Sequence, residues 1–424
     1  MAEELRALLS PEGLRLLDEV GSVTADADVV RLVSRLRAAG HAPALVAAVL
    51  TQARLRTRAR TRFGEFANRM LFTPDGLEQA TRLQVAAQHA GRLARAGMAS
   101  VADLGCGIGA DALAFASLGM RVVAVDRDEV TAAIASYNLA PFPEASVVQG
   151  DALESEPEDV DALWFDPARR ASGRRFSVPA DWSPPLDHVF ARAAAKPAGI
   201  KLGPALDHAL IPDGVEAQWV SVDREVVELV VWTGTLARDG VGRAALLLGA
   251  HGPAELTAPG PAPDAEVGEL GEYLLEPDGA VIRARLIGEL ARQTDGRMLD
   301  NTIAWITADT QPATPFGQAF RVREQLPFDE RTLTQALRER GIGTLEIKKR
   351  GVDVDPAILR KRLSLRGDES ATLVLTRVTG RRTALLVDRL REEAARSPTS
   401  ARGQSPAVRH KPESAKSPMM KKMT

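Results

Sequence analysis

The feature that most limits how this chain can fold is the segment Val101-Ala-Asp-Leu-Gly-Cys-Gly-Ile-Gly-Ala-Asp111. Glycines at a spacing of two, entered from an apolar run and left into a helix-forming one, read as strand, tight turn and helix. Such a turn lets backbone approach a ligand closely and points a helix N-terminus at it. The apolar run at 100–104 is followed by others at 121–126, 146–149, 162–165 and 199–202, with helical stretches between them. That alternation predicts a mainly parallel sheet with helices on both faces. The runs at 218–222 and 226–233 are close enough to form an antiparallel pair at one sheet edge, and 244–248 adds a further strand.

The rest of the chain divides around this unit. With 424 residues, at roughly 150 per domain, two or three domains are expected. Residues 1–96 read as a helical region, in which Ser10 with Pro11, Asp26 and Pro43 mark helix starts. The helix after Pro43 runs into Arg54, Arg58 and Arg62 along one edge, which is either a solvated face or a phosphate-facing one. The core unit spans 97–252. A stretch rich in proline and glycine at 253–266 reads as a linker, and 267–391 as a second α/β unit. From 392 to 424 the chain is Ser, Pro, Lys and Arg with little apolar content, the composition of a disordered basic tail.

Composition narrows the chemistry. A chain that is 45% hydrophobic and 26% charged is not disordered throughout. With 54 Lys and Arg against 56 Asp and Glu, it is not basic overall, though local basic faces remain open. Eleven Phe, five Trp and two Tyr are too few for an extended base-stacking platform. The lone Cys106 excludes an intrachain disulfide, and six scattered histidines lack metal-ligand spacing, so no metal is expected. No leader is visible at the start and no apolar run approaches ~18 residues. A cytoplasmic protein with no membrane partner is the expectation.

Gly105, Gly107 and Ala110 also fit the G-x-G-x-x-A pattern of dinucleotide sites, so the ligand must be decided by other residues. Asp103 separates the readings. A carboxylate at that strand end repels a pyrophosphate, but it welcomes the ammonium of S-adenosylmethionine, which carries no phosphate. Asp126 ends the next strand about 20 residues on, where an acidic side chain takes both ribose hydroxyls. Asp151 ends the third strand, placed to accept from an adenine amino group while the Ala152 N–H meets the ring. Gly105, Gly107 and Gly109 allow the close backbone approach. Cys106 reads as a small residue in a tight turn.

With these residues the sequence resembles class I S-adenosylmethionine-dependent methyltransferases, whose first motif is Asp103-Leu-Gly-Cys-Gly-Ile-Gly109. More narrowly it is similar to bacterial methyltransferases with a THUMP-like C-terminal domain. That match rests on Leu71-Phe-Thr-Pro-Asp-Gly-Leu-Glu-Gln-Ala-Thr81, Phe165-Asp-Pro-Ala-Arg-Arg170 and Leu345-Glu-Ile-Lys-Lys-Arg-Gly-Val-Asp-Val-Asp355. The resemblance implies a Rossmann-like α/β fold with a seven-stranded, mainly parallel sheet, an N-terminal helical region and a C-terminal α/β THUMP-like domain. It implies S-adenosylmethionine as cofactor. THUMP domains bind RNA in tRNA-modifying enzymes, so RNA (tRNA or rRNA) is the expected partner.

Asp166 closes the fourth strand in Leu-Trp-Phe-Asp-Pro-Ala-Arg-Arg, an arrangement similar to the (Asp/Asn)-Pro-Pro-aromatic motif of amino-directed nucleic-acid methyltransferases. An exocyclic amine is a poor nucleophile because its lone pair is delocalised into the ring. A carboxylate and a backbone carbonyl that accept its two N–H groups favour the geometry that frees it. Asp166 and the Pro167 carbonyl are the expected catalytic pair, with Asn an acceptable replacement at 166. Ala168 and Arg169 depart from the motif. Arg169, Arg170, Arg174 and Arg175 are the expected substrate-binding rim, while Lys201 is expected to be structural. Ahead of the glycine loop, Phe72, Thr73 and Gln79 either overlie the cofactor or simply cap a helix. Lys348, Lys349, Arg350, Arg360, Lys361, Arg362 and Arg366 offer a basic edge that Asp353 and Asp355 interrupt. A small-molecule or protein methyltransferase, and a non-catalytic S-adenosylmethionine-binding RNA adaptor, are the competing functions.

Overall fold

The computed structural model describes residues 2–390 apart from 22, 24, 25, 156, 158, 168, 169, 172, 173 and 176–181. The expected tail and Arg169 lie outside the described residues. Six helices come first: α1 (Ala2–Leu8), α2 (Pro11–Val20), α3 (Asp26–Ala38), α4 (Pro43–Phe63), α5 (Pro74–Gln79) and α6 (Leu83–Arg95). Pro11 is the first residue of α2, where its missing N–H costs nothing, and the Ser10 hydroxyl accepts from the Gly13 N–H at 3.1 Å. α4 is not uniformly basic on its outside. Arg54 and Arg58 are exposed, whereas Arg56 is buried and donates to the Met70 carbonyl at 3.0 Å.

The central sheet is built from β1 (Ser100–Leu104), β2 (Arg121–Asp126), β3 (Ala145–Gln149), β4 (Ala162–Phe165), β5 (Ala198–Leu202), β6 (Glu216–Val222), β7 (Glu225–Trp232), β8 (Arg243–Gly249) and β9 (Gly252–Ala258). Their order is β9-β8-β6-β7-β5-β4-β1-β2-β3. β3, β2, β1, β4 and β5 are parallel, and β7 runs against both β5 and β6. The chain moves outward from β1 through β2 to β3, then returns to the other side of β1 with β4. The switch point between β1 and β4 is where a ligand crevice opens in such sheets.

Two expectations need correction. The sheet has nine strands where the resemblance implied seven: the run at 244–248 forms β8, and part of the expected linker forms β9. Gly252 turns the chain with φ +91°, and β9 pairs antiparallel with β8 from Gly249↔Gly252 to Arg243↔Ala258. Pro253 is tolerated because β9 is an edge strand, whose outer N–H groups need no partner. The antiparallel pair β6–β7 also lies inside the sheet, flanked by β5 and β8, rather than at its edge.

One face of the sheet packs against the N-terminal helices together with α6, α7 (Ala110–Ser117) and α8 (Glu129–Leu139), through residues such as Leu45, Ala90, Phe115, Val122 and Trp164. The other face packs against α9 (Leu186–Ala195) and the helices α10 (Gly279–Arg283) and α11 (Ile287–Gln293), through Phe165, Val189, Trp219, Val281 and Leu290. The apolar core is therefore continuous across residue 267. A second sheet follows, in the order Arg297–Met298, Ile306–Ala308, Tyr273–Pro277, Gly317–Pro327, Arg381–Arg389, Glu369–Val378, Ile342–Lys349. Helices α12 (Glu330–Glu339) and α13 (Pro356–Leu363) cover it through Leu333, Leu337, Leu359 and Leu363. Asp355, which interrupts the basic edge in sequence, is the N-cap of α13 and accepts from Ala357 N and Ile358 N at 2.8 and 3.0 Å.

Candidate active site

A cleft of about 800 Å³ lies over the switch point, lined by Gly105, Gly107, Asp126, Asp151, Ala152, Asp166, Pro167 and Lys201, and roofed by residues 73–82. Pockets for small molecules span roughly 300–1,000 Å³, so the cleft has room for a nucleoside-sized ligand and part of a second molecule. The sequence folds this way because β1 is buried along its whole length, and then the chain must turn sharply into α7. Gly105 (φ +94°) and Gly109 (φ +84°) adopt backbone that L side chains rarely take. A Cβ on Gly105 would also sit 2.9 Å from the Asp166 carbonyl oxygen, so the turn is packed directly against the end of β4.

Asp103 is 1% exposed, yet neither carboxylate oxygen has a hydrogen-bond partner. Burial, then the neighbouring Asp111 and Asp166, hold its carboxyl well above the usual range. A buried acid left without a partner is costly. Asp126 is fixed from both sides. The Gly107 N–H donates to Oδ2 at 3.0 Å and the Asp128 N–H to Oδ1 at 2.9 Å. Burial raises its carboxyl, opposed by those two bonds. Asp151 accepts from Leu153 N at 2.9 Å, and Arg192 holds the Ala152 carbonyl at 2.6 Å. Asp126, Asp151 and Ala152 line the cleft, and Asp103 lies two residues before its first glycine.

Asp166 follows β4, and Oδ2 lies 2.5 Å from Lys201 Nζ, at the end of β5. The expectation that Lys201 is merely structural overlooks this contact. Lys201 also donates to Thr81 Oγ1 at 2.8 Å and stands 3.7 Å from Asp111 Oδ2. Thr81 donates to Asp111 Oδ2 at 2.6 Å. Behind them His89 bridges Asp111 (2.8 Å) and Glu228 (2.7 Å), with its ring centroid 4.5 Å from that of the buried Trp164. Burial opposes charge on His89, but Glu228 and Asp111 prevail and raise it to about 9, so it is a cation at neutral pH. Burial likewise opposes charge on Lys201, and Asp166, Asp111 and Glu228 reverse that and hold it above its ordinary value.

The segment before the glycine loop is held like a strand. Gln52 exchanges two hydrogen bonds with the Phe72 backbone (2.7 and 3.0 Å), and Asn138 exchanges two with that of Leu71 (2.8 and 3.1 Å). Thr73 caps α5, accepting from Gly76 N at 2.9 Å, and lines the cleft as Gln79 does. Phe72 is buried against Phe63 instead. Arg62, Arg82 and Arg127 also line the cleft. The backbone of Arg170-Ala171 pairs with that of Arg174-Arg175 in a short hairpin beyond Asp166, and the side chains of this rim lie outside the described residues. On the expected basic edge of the C-terminal unit, Lys348 is spent on Glu276 (2.7 Å) and Arg360 on the Leu345 carbonyl (3.0 Å), while Lys349, Lys361, Arg362 and Arg366 are exposed. Among the described residues no group of three or more His, Cys, Asp or Glu is placed to hold a metal, and no helix is long and apolar enough to cross a membrane.

Comparison with known proteins agrees with this geometry. Residues 102–166 match a methyltransferase domain, residues 317–389 a THUMP domain-like model, and residues 2–59 a domain of unknown function. The chain is 35% identical over 354 residues, 81% of its own length and 95% of the relative's, to an uncharacterized S-adenosylmethionine-dependent methyltransferase of Mycobacterium tuberculosis, recorded from two strains. The crystal structure of a protein from Porphyromonas gingivalis W83, described as a methyltransferase, superposes over 87% of this chain and 99% of its own with a TM-score of 0.67 at 21% identity. This chain belongs to the S-adenosylmethionine-dependent methyltransferases, with a Rossmann-like methyltransferase fold and a THUMP-like C-terminal domain.

Proposed function

We propose that the chain methylates an exocyclic amine of an RNA base, with Asp166 and the Pro167 carbonyl as the groups that receive the amine. The observation that carries this reading is the placement of Asp166. It stands at the end of β4, packed on the glycine turn that follows the unpartnered Asp103, and it lines the cleft together with that turn. Asp103 would hold the cofactor's ammonium, Asp126 its ribose hydroxyls, and Asp151 with the Ala152 N–H its adenine, while Gly105, Gly107 and Gly109 admit it to the backbone. When bound, S-adenosylmethionine supplies a methyl group on a positively charged sulfur. Asp166 orients the acceptor nitrogen by taking one N–H, and it is the nearest base for the proton that nitrogen sheds. The C-terminal match to a THUMP domain-like family supports RNA over other acceptors. So do Arg62, Arg82 and Arg127 in the lining of the cleft, as guanidinium groups suit a phosphate backbone. Arg170, Arg174 and Arg175 of the adjoining hairpin would extend that rim.

The test is transfer of radiolabelled methyl to bulk RNA from a strain lacking the gene. Asp166→Ala should keep S-adenosylmethionine affinity and lose about 2.7–4 kcal/mol of barrier lowering, the scale for one preorganised electrostatic partner. Wild-type turnover by Asp166→Ala would remove this strand end from catalysis. Labelling of protein or a metabolite instead of RNA would replace the acceptor class.

A further inference from the structure

Asp166 is the outer end of a chain of alternating charge. Lys201, Asp111, His89 and Glu228 follow it in order, at 2.5, 3.7, 2.8 and 2.7 Å. Asp111, His89 and Glu228 are buried and Lys201 nearly so, whereas 35% of the Asp166 side chain is exposed. Thr81 locks the joint, accepting from Lys201 and donating to Asp111. Lys201 therefore has its position set from behind before any acceptor arrives, and it presents its ammonium to one oxygen of Asp166, Oδ2.

We infer that Lys201 is a positioning residue for methyl transfer: anchored by Thr81 and Asp111, its ammonium fixes Asp166 through Oδ2 and balances its charge, so the reaction requires the Asp166–Lys201 pair and not merely an acceptor at position 166. This rests on the proposed role of Asp166. It reverses an expectation drawn from related motifs, in which Asn serves at this place. Next to Lys201, the oxygen of an Asn would be drawn to the ammonium. The amide NH2 would then face the acceptor, donor against donor. Without Lys201, Asp166 would face Asp111, Glu228 and Asp103 with only the more distant His89 to offset them. A proton on Asp166 would relieve that repulsion and remove the acceptor. Lys201 itself is held protonated by three carboxylates, so it does not act as the base.

The test uses the full chain with Asp166→Asn, Lys201→Met, Lys201→Gln and the double variant Asp166→Asn/Lys201→Met. S-adenosylmethionine affinity by calorimetry should stay within about threefold in all of them, which also reports folding. Lys201→Met should lower turnover on bulk RNA roughly ten- to a hundred-fold, the worth of one charge-assisted contact. Its acid limb should move to higher pH. Asp166→Asn should fall as far as Asp166→Ala, and the double variant should recover part of the loss, because the amide oxygen is then free to face the acceptor. Should Lys201→Met fold poorly, Lys201→Gln answers the same question. Wild-type turnover in the Lys201 variants, or nearly full activity of Asp166→Asn beside an intact Lys201, overturns the inference. If the wild type labels no RNA, the acceptor assignment fails. The pair is then judged by carboxyl carbon NMR of Asp166, whose titration must move to higher pH in Lys201→Met. An unmoved titration overturns the inference independently.

Discussion

Asp103→Asn should make the ligand-free protein more stable and its cofactor binding weaker. Both Asp103 oxygens are buried without a partner, and a buried unsatisfied polar group costs about 1–3 kcal/mol, more when charged. Its carboxyl is held well above the usual range, first by burial and then by Asp111 and Asp166. The folded state thus binds this proton more tightly than the unfolded chain does. Ligand-free stability attributable to Asp103 must therefore fall as pH rises from the ordinary carboxylate range through the raised value. The Asn variant lacks that loss, so its thermal midpoint should exceed the wild type's at neutral pH and converge on it in acid. In the complex the relation inverts. A charge-assisted hydrogen bond to the ammonium is worth about 1.5–3 kcal/mol, so affinity for S-adenosylmethionine should drop roughly ten- to a hundred-fold. Binding must also expel the Asp103 proton. Calorimetry in buffers of different ionisation enthalpy should show more proton release by the wild type than by Asp103→Asn. Equal affinity with equal proton release would refute the placement of the ammonium at Asp103.

Three further outcomes follow from the same geometry. Asp126→Ala, which removes a carboxylate aimed by Gly107 and Asp128, should weaken S-adenosylmethionine binding roughly ten- to a hundred-fold in calorimetry. Gly199→Ala puts a Cβ 2.4 Å from the Trp164 ring and 2.8 Å from that of Trp232; such overpacking should cost about 1–3 kcal/mol, read as a lowered thermal midpoint. His89, raised to about 9, contributes stability that is full below its ordinary value near 6.5 and lost as pH rises through about 9. The deficit of His89→Gln against the wild type should therefore shrink across that window in thermal melts, and a deficit that grows would contradict a protonated His89.

The sheet was legible because its signals are local. A glycine turn after an apolar run and acids at 103, 126, 151 and 166 mark β1 to β4 and their C-terminal ends without tertiary information. Misreadings arose where tertiary pairing overrides composition. The prolines after residue 252 resemble a linker, yet the edge of a sheet accepts them, and β9 forms. Lys201, His89, Asp111 and Glu228 escaped because each is a single residue, more than 100 positions apart at the extremes, and their meaning lies in the contacts between them. Signals were nonetheless present. Glu228 stands alone in the run Val226-Val227-Glu228-Leu229-Val230-Val231, and His89 sits among Val85, Ala86, Ala90 and Leu93 on the buried face of α6. A lone ionisable residue on an apolar face needs a buried partner, and two such residues of opposite charge predict each other.

The same contacts bear on where the methyltransferase unit begins. The sequence divides at 96/97, but Thr81 and His89 lie before that point and close the charge chain that ends at Asp166. Gln52 and Asn138 fasten residues 71–72 from α4 and α8, so the roof of the cleft is tied to both the N-terminal helices and the sheet. A chain starting at 97 would leave Asp111 and Glu228 without the cation between them and Lys201 without Thr81. Removing one member of a buried ionic set leaves an uncompensated charge, which costs far more than the set contributes when complete. The N-terminal helices are thus part of the architecture of the cleft. Asp111 and Glu228 are tolerable in the folded protein because His89 of α6, with Thr81 before it and Lys201 of β5, supplies their counter-charge and hydrogen bonds.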